Sequence, residues 1–549
     1  MDRSKLHARA RHRGVNLPVY WAVRVVLQPF FHLYFRLTWR GRKHLPKDGP
    51  VIFAANHRSF LDPFVIAAMY PRPMYFVAKK ELFQRRWQAW ILNALGAFPV
   101  DRGAGDSDAM GTARQILERG DAVLIFPEGT RIRPGGLGRP RRGVGRLALE
   151  TGAPVVPVAV IGTEQIRTKW KIRPHRVRLL AGAPLQFPKT ENPTATMAAA
   201  VIDRVWPCVE LQWEWLGGEP PVRRAAIIGA GSWGTALAVA LARGGVQVQL
   251  GARTAEQADA LRETRCNERY LAGVTLPAGV EVTTASQLDF ARADLVCFAV
   301  PSRAIPATVA AHAEHIPADA GVLVLSKGLV PPLGTLPSAY VSERVRARAV
   351  ATLGGPALAA DVLAHGAAVV LACSDPVCGA VLRETLRSAR LQVTVSTDVT
   401  GVELAGVAKN AAVLAAAASV GAGPNAAGAA AGKVFAEVDA YARACGAQPE
   451  SFSGLAGAGD LVATVVAESS RNRRAGEMLA SGVPAGAIES QLGQTPESLD
   501  TVSLLADALQ RSGVPAPTVT ALADLVGGRI APAQWAAGVT SPDRPTVAA

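Results

Sequence analysis

Residues 225–243 read AAIIGAGSWGTALAVALAR, and the fold of the C-terminal three fifths of the chain turns on that run. Its first four residues are a short apolar stretch closed by glycine, the pattern of a buried strand, whereas 235–243 is an unbroken Ala/Leu-rich stretch that reads as a helix. Between them stand Gly229, Gly231, Ser232, Trp233 and Gly234 in a GxGxxG arrangement. Alone that spacing is common. Placed after a strand and before a helix, it supplies what a pyrophosphate needs: a tight turn, close backbone approach and the N–H groups of a helix N-terminus. A second strand at 247–250 ends in Gly251-Ala252-Arg253, where NAD-selective sites usually carry Asp or Glu for the ribose hydroxyls. Arg253 can accept a 2′-phosphate there, so the spacing predicts a Rossmann fold that takes NADPH or NADH. A solvated loop arginine is the competing reading.

Just ahead of that run, residues 213–221 read WEWLGGEPP, a Gly/Pro-rich break that marks a linker. A chain of 549 residues with 49% hydrophobic and 19% charged residues has material for more than one core and is not mainly disordered. The net charge of +15 is divided unevenly: residues 1–218 hold 34 Lys+Arg against 16 Asp+Glu, or +18, and the remainder 25 against 28, or −3. The basic part therefore asks for an anionic partner: nucleic acid, a membrane surface or a phosphorylated substrate. No zinc-finger spacing, RNP-like block or helix-turn-helix signal accompanies the charge, which sets nucleic acid aside. Cys208, Cys266, Cys297, Cys373, Cys378 and Cys445 form no CxxC pair and no cluster with His, so neither a metal site nor a disulfide framework is expected and a reducing cytosol fits.

The N-terminus is basic and runs into VYWAVRVVLQPFFHLYFRLTW at 19–39, where no small-residue cleavage site follows and no apolar run reaches 18 residues. Arg24, Gln28, His32, Arg36 and Arg40 recur every four residues, a polar stripe on a helix whose other faces are apolar. That pattern suits a helix in a membrane interface with its cations on anionic head groups, and equally a helix packed on its own domain. Both readings stay open here. A second aromatic group, Phe83, Trp87 and Trp90, interleaves with Lys79, Lys80, Arg85 and Arg86.

A strand at 51–55 runs into Asn56-His57-Arg58-Ser59-Phe60-Leu61-Asp62. A turn past the strand can bring the carboxylate onto the imidazole, holding its tautomer and stabilising the imidazolium. A second strand at 122–126 runs into Pro127-Glu128-Gly129-Thr130-Arg131, where a guanidinium fork beside backbone donors makes a phosphate seat. With AFPVDR at 97–102 between them and APVVPV at 153–158 after, this ordered set resembles the glycerolphosphate acyltransferase family, which includes the 1-acylglycerol-3-phosphate acyltransferases, over roughly 20–215. The resemblance implies direct acyl transfer from an acyl thioester, on coenzyme A or acyl carrier protein, with no covalent enzyme intermediate. It makes His57 the general base and Asp62 its orienting partner. Gly129, Thr130 and Arg131 would bind the substrate phosphate, with Arg102 as a second contact. For Glu128, a structural hydrogen-bonding role and a catalytic one both stay open.

Beyond the GxGxxG run come Ser326-Lys327-Gly328, Gly354-Gly355-Pro356, Glu403-Leu404-Ala405-Gly406-Val407-Ala408-Lys409-Asn410, Gly457-Ala458-Gly459-Asp460 and Ser470-Arg471-Asn472. This series resembles the NAD(P)-dependent glycerol-3-phosphate dehydrogenases along nearly all of 222–530. The resemblance implies that Lys409 gives and takes the proton at the substrate C2 oxygen. Lys327, Gly355, Asp460, Ser470, Arg471 and Asn472 would surround the substrate, and Gly229, Gly231, Ser232, Trp233, Gly234, Arg253, Lys327, Ala359, Arg471, Thr495 and Glu497 the cofactor. Ala357-Leu358 stands where the family has a hydroxyl residue and Phe, and Asn425-Ala426-Ala427 lacks the family's cation, which would weaken phosphate binding.

The expected fold class is α/β: a peripheral membrane-interface segment at 1–40, an acyltransferase α/β domain at 41–215, a linker at 216–222, a Rossmann domain at 223–395, an all-helical substrate domain at 396–535 and a tail at 536–549. The two resemblances meet at glycerol 3-phosphate, the product of dihydroxyacetone phosphate reduction and an acyl acceptor. The expected function is a cytoplasmic enzyme, peripheral on the membrane, that makes and then acylates it. Two alternatives stay open: 1-acylglycerol 3-phosphate as the acceptor, or a catalytically weakened NAD(P)-binding C-terminal part. A homodimer is neither required nor excluded.

Overall fold

The computed structural model describes residues 3–101, 107–132, 136–168 and 171–540. The chain forms two compact units, Met1–Pro221 and Val222–Ala549.

The first unit is built on a seven-stranded sheet of order β1-β7-β6-β2-β5-β3-β4, with β1 Thr38–Arg40, β2 Val51–Ala55, β3 Met74–Lys79, β4 Ala97–Val100, β5 Ala122–Ile125, β6 Val155–Ile161 and β7 Arg178–Ala181. Strands β2 to β6 run parallel to one another, so their carboxyl ends share one edge, where functional loops collect, and β7 pairs antiparallel with β6. VIFAA in β2 is apolar without alternation because both faces are covered. Val51, Phe53 and Ala55 enter one core, Ile52 and Ala54 the other. The covering helices are α1 Arg3–His12, α2 Leu17–Tyr34, α3 Asp62–Met69, α4 Arg86–Ala94, α5 Ser107–Glu118, α6 Gly143–Thr151 and α7 Ala195–Trp215.

Helix α2 packs against its own unit. Its polar stripe does not face outward: Arg24 donates to the carbonyls of Tyr70 (2.6 Å) and Ala68 (3.0 Å) just past and within α3, and also to Gln28. His32 Nδ1 pairs with the Leu37 carbonyl at 2.9 Å. The helix ends at Tyr34, Arg36 takes φ 45°, and Arg40 lies on β1, so the stripe stops after two turns. What points outward is Leu17, Pro18, Trp21, Ala22, Val25, Val26, Pro29, Phe30 and Leu33, nine apolar side chains with no charge among them. Nor does the segment 1–40 stand apart, since Leu6, Phe31 and Phe35 are buried in the core that holds Val51 and Phe53.

The second unit has an eight-stranded sheet of order β10-β9-β8-β11-β12-β13-β14-β15: β8 Arg224–Ile228, β9 Gln247–Ala252, β10 Val280–Thr284, β11 Leu295–Phe298, β12 Gly321–Val324, β13 Ala349–Gly354, β14 Ala367–Cys373 and β15 Leu391–Ser396. The first six are parallel and doubly wound about β8, and β14 turns antiparallel to β13. Helix α8 (Ser232–Arg243) starts three residues earlier than the composition suggested, directly after Gly231. Helix α9 spans Ala255–Thr264 and α10 Ala359–His365.

The remainder is helical: α11 Val399–Ala418, α12 Pro424–Ala444, α13 Asp460–Val466, α14 Arg471–Ala480, α15 Glu497–Arg511, α16 Pro517–Val526 and α17 Pro532–Thr540. By length and composition α11 could cross a bilayer, but 94% of its apolar window is buried inside the unit. It is apolar all round because other helices surround it. The expected tail begins inside α17, where Trp535 is buried and donates to Ser419 Oγ at 2.9 Å.

Candidate active sites

At the carboxyl edge of the first sheet, the loops after β2 and β5 meet. Asn56 continues the sheet with its side chain, donating to the Val160 carbonyl (2.9 Å) and accepting from the Val160 amide (2.7 Å). That anchors His57 at the strand tip. Asp62 opens α3 and is fully buried. Its Oδ2 accepts from His57 Nδ1 at 2.8 Å and from the Arg58 and Ser59 amides at 2.6 Å, while Oδ1 accepts from Thr163 Oγ1 at 2.6 Å. With Nδ1 committed to Asp62, the Nε2 atom of His57 is the nitrogen that exchanges protons. The Phe126 ring stacks on the imidazole at a centroid distance of 4.0 Å.

The second loop is tied to the first by Glu128 and Ile132. Glu128 Oε2 accepts from the His57 amide (2.6 Å), its Oε1 from the Gly138 amide (2.7 Å), and the Ile132 amide donates to the His57 carbonyl (3.0 Å). Burial pushes the Glu128 carboxyl up to about 8 against the pull of those two amides. Both oxygens accept from backbone amides. Gly129 turns the chain with φ 70°, and Thr130 and Arg131 stand exposed beyond it. Arg102 lies outside the described residues.

Sequence reasoning missed three side chains here. Thr163 sits 101 residues from the carboxylate it bonds. Arg141 lies against Gly129, its Nε 3.0 Å from where a Cβ would stand, and so places a cation at this turn. Arg58 is buried, donates to the Ile132 and Gly136 carbonyls (2.8 and 3.0 Å) and stacks over Trp213. The basic run at 139–142 was visible as charge, but nothing local assigned it to Gly129.

In the second unit, two adjoining cavities of about 640 and 600 Å³ share Ser232, Trp233, Arg471, Thr495 and Glu497 in their walls. The GxGxxG glycines divide the work. A Cβ at Gly234 would stand 2.0 Å from the Gly229 carbonyl, so this glycine allows α8 to close on β8; Gly231 faces open space, where backbone can approach a pyrophosphate. Gly229 lines the second cavity with Arg253. The Arg253 amide donates to Gln257 Oε1 at 3.2 Å and Gln257 reaches back to the Ala230 carbonyl at 3.1 Å, tying the glycine turn to the end of β9. These features fit a dinucleotide: an open helix N-terminus for the pyrophosphate and a cation where the adenosine ribose would lie.

The first cavity holds Lys327, Gly355, Ala359, Lys409, Asp460, Ser470, Arg471 and Asn472. Its core is one carboxylate between two lysines. Asp460 Oδ2 accepts from Lys327 Nζ at 2.6 Å and Oδ1 lies 3.5 Å from Lys409 Nζ, while Lys327 also donates to the Gly355 carbonyl at 3.2 Å. Burial alone would raise the Asp460 carboxyl, but Lys327 and Lys409 hold it below its ordinary value. Burial pulls Lys409 down to about 8; Asp460 opposes the fall and Lys327 adds to it. A lysine so tuned gives or takes a proton near neutral pH.

Glu497 lines both cavities, as expected of a residue on the cofactor side. Rather than offering its carboxylate to the cavity alone, it accepts from the Ser302 amide and hydroxyl (3.0 and 3.1 Å) and from the Lys327 amide (3.1 Å), so it positions two loops of the Rossmann sheet. Arg471 donates to the Thr495 carbonyl at 3.4 Å, and Ser470 caps α14 by accepting from the Arg473 amide. Asn410, adjacent to Lys409, donates to the Lys327 carbonyl (2.8 Å) and accepts from Asn472 (2.7 Å), a link the motif contained but its spacing did not assign. Ala357 and Leu358 do line the cavity, whereas Ala427 is not among its wall residues.

Three family models match the chain: an acyltransferase at 36–161, the N-terminus of NAD-dependent glycerol-3-phosphate dehydrogenase at 224–378 and its C-terminus at 398–537. A glycerol-3-phosphate dehydrogenase [NAD(P)+] of Deinococcus radiodurans is 40% identical over 314 residues, 56% of this chain and 92% of that protein. Its counterpart in Paracoccus denitrificans is 39% identical over 311 residues, 56% of this chain and 94% of that protein. The solved glycerol-3-phosphate dehydrogenase of Coxiella burnetii is 29% identical with a TM-score of 0.56, spanning 58% of this chain and 99% of that one.

Proposed function

Since residues 224–537 belong to the NAD-dependent glycerol-3-phosphate dehydrogenase family and an acyltransferase domain precedes them, we propose that one chain carries out two consecutive reactions: NAD(P)H-dependent reduction of dihydroxyacetone phosphate, then acylation of the glycerol 3-phosphate formed. The observation that carries this reading is a pair of buried proton-transfer centres, His57–Asp62 in one unit and Lys409–Asp460–Lys327 in the other.

A dinucleotide held by the turn at 229–234 and by Arg253 would supply hydride to the C2 carbonyl of a substrate in the second unit. Lys409 delivers a proton to the C2 oxygen and takes one up from solvent afterwards, which its lowered pKa allows. Lys327 and Asp460 keep the site from carrying a second uncompensated charge. Arg471 and Asn472, at the start of α14, are placed for the substrate phosphate, where a cation and a helix N-terminus act together. Arg253 supports use of NADPH beside NADH.

In the first unit His57 takes the proton from an acceptor hydroxyl as its oxygen attacks the thioester carbonyl. The C–S bond breaks, and the departing thiolate leaves as a thiol with the proton His57 returns. Asp62 stabilises the imidazolium between these steps, and Arg131, Arg141 and the turn at Gly129 hold the acceptor phosphate. The thioester is carried by coenzyme A or acyl carrier protein. The uncharged face of α2 supports a cytoplasmic enzyme seated on the membrane surface, where an acylated product dissolves. That face also favours a second reading in which 1-acylglycerol 3-phosphate, already lipid-borne, is the acceptor.

The test is an acceptor assay on the pure protein with acyl-CoA. Glycerol 3-phosphate is expected to yield lysophosphatidate. Acylation of the 1-acyl form alone would transfer the assignment to the second reading, and acylation of neither would defeat both. NADPH oxidation by dihydroxyacetone phosphate in wild type, and its loss in Lys409→Ala, separates an active dehydrogenase from a binding module, which turns over in neither protein.

A further inference from the structure

The outward face of α2 leaves a second exposed group on the same unit unexplained. Helix α4 buries Ala89, Asn93 and Ala94 and turns Trp87 (63% exposed), Trp90 (42%) and Ile91 (37%) outward, with Leu82 beside them on the preceding turn. Arg85 and Arg86 flank Trp87 and are exposed as well, whereas Lys79 and Lys80 are paired with Glu81 and Asp101. Two outward indoles on a nine-residue helix form an exposed aromatic surface, and exposed tryptophan costs hydration with no return in packing.

The helix adjoins α2. The amide of Asn16, which caps α2, donates to the Ala94 carbonyl at the end of α4 (3.0 Å), and Leu95 lines the same small groove as Tyr20 and Val23. The two faces therefore belong to neighbouring, directly bonded helices, but their chemistry differs. That of α2 is wholly apolar and suits the depth of acyl chains. That of α4 sets indoles beside guanidinium groups, the mixture that sits at head-group level, where tryptophan prefers the interface and arginine meets lipid phosphate.

We propose that α4 is a second membrane contact of the acyltransferase unit, which reads anionic head groups, while α2 inserts without preference for lipid charge. This rests on the reading of α2 as membrane-seated. The closing experiment is sedimentation of the full-length protein with vesicles of phosphatidylcholine alone or mixed with phosphatidylglycerol. The variants are Arg85→Gln/Arg86→Gln and Trp87→Ser/Trp90→Ser on α4, and Val25→Ser/Val26→Ser on α2. All six side chains are exposed, and unchanged circular dichroism shows that each variant is folded.

Wild type is expected to bind the anionic vesicles more tightly. Each surface cation contributes about fivefold to partitioning, so Arg85→Gln/Arg86→Gln loses about 25-fold on anionic vesicles and little on neutral ones. Trp87→Ser/Trp90→Ser weakens binding to both, and so does the α2 variant. Equal wild-type binding to both vesicle types, or wild-type behaviour of both α4 variants, overturns the proposal and leaves α4 to a protein partner. Should the wild-type protein bind neither vesicle, the α2 reading itself fails and takes this one with it.

Discussion

Asp62 and Asp460 are both buried carboxylates set against the group that moves a proton, and their surroundings differ in kind. Asp62 is held by two amides, a hydroxyl and the imidazole, with a single titratable partner. Asp460 has two lysines within ion-pair distance and little else beyond Thr464. A carboxylate held by backbone and hydroxyl donors gives its one base a fixed tautomer and a place for positive charge. A carboxylate shared by two ammonium groups cannot neutralise both, and the more buried lysine is left near the pH at which it must work. The first arrangement suits deprotonation of a hydroxyl; the second suits proton delivery to a nascent alkoxide.

The largest expected effects come from removing the bases. His57→Ala is expected to lower acyl transfer by about a thousandfold and leave NADPH oxidation unchanged, and Lys409→Ala to do the reverse, read by paired assays of each activity. A fall of both activities in either variant would dissolve the comparison, because it would mean that the two centres are not separate.

Next come the two aspartates. Asp62→Asn should cost acyl transfer about a hundredfold or more, since the carboxylate fixes the tautomer of His57 and stabilises its imidazolium. Asp460→Asn should move the pH profile of reduction. Reduction requires protonated Lys409, so its rate holds below about pH 8 and declines above it. Asp460 raises the Lys409 pKa, so its loss shifts that decline to lower pH by about one unit or more. An unmoved profile with a uniformly lower rate would contradict the shared-carboxylate account.

Smaller effects test the supports. Glu128→Gln places an NH2 group against one of two backbone amides, which is expected to destabilise the first unit by about 1–3 kcal/mol in thermal melts and to lower acyl transfer with the dehydrogenase intact. Arg253→Ala is expected to raise KM for NADPH about tenfold while that for NADH holds, the smallest change because the side chain is exposed.

Both sheets and most site residues were legible because their signals are local. A strand followed by a glycine turn, or a His five residues from an Asp, places its groups through backbone geometry alone. What was not legible depended on distant partners. Thr163 and Asp62 are 101 residues apart and Lys327 and Asp460 are 133 apart, so neither link shows as a spacing. The polar stripe of α2 left two readings open for a related reason: an arginine that caps carbonyls of the next helix repeats with the same period as one on a lipid phosphate. Glu497 lines both cavities as expected, but its bonds to Ser302 and Lys327, 195 and 170 residues away, were out of reach of spacing.

The most direct test of two sequential centres in one chain supplies dihydroxyacetone phosphate, NADPH and acyl-CoA to the pure protein and measures lysophosphatidate. Wild type should form it. His57→Ala should accumulate glycerol 3-phosphate, and Lys409→Ala should form lysophosphatidate only when glycerol 3-phosphate is added. Absence of lysophosphatidate from wild type, even with glycerol 3-phosphate supplied directly, would contradict the account.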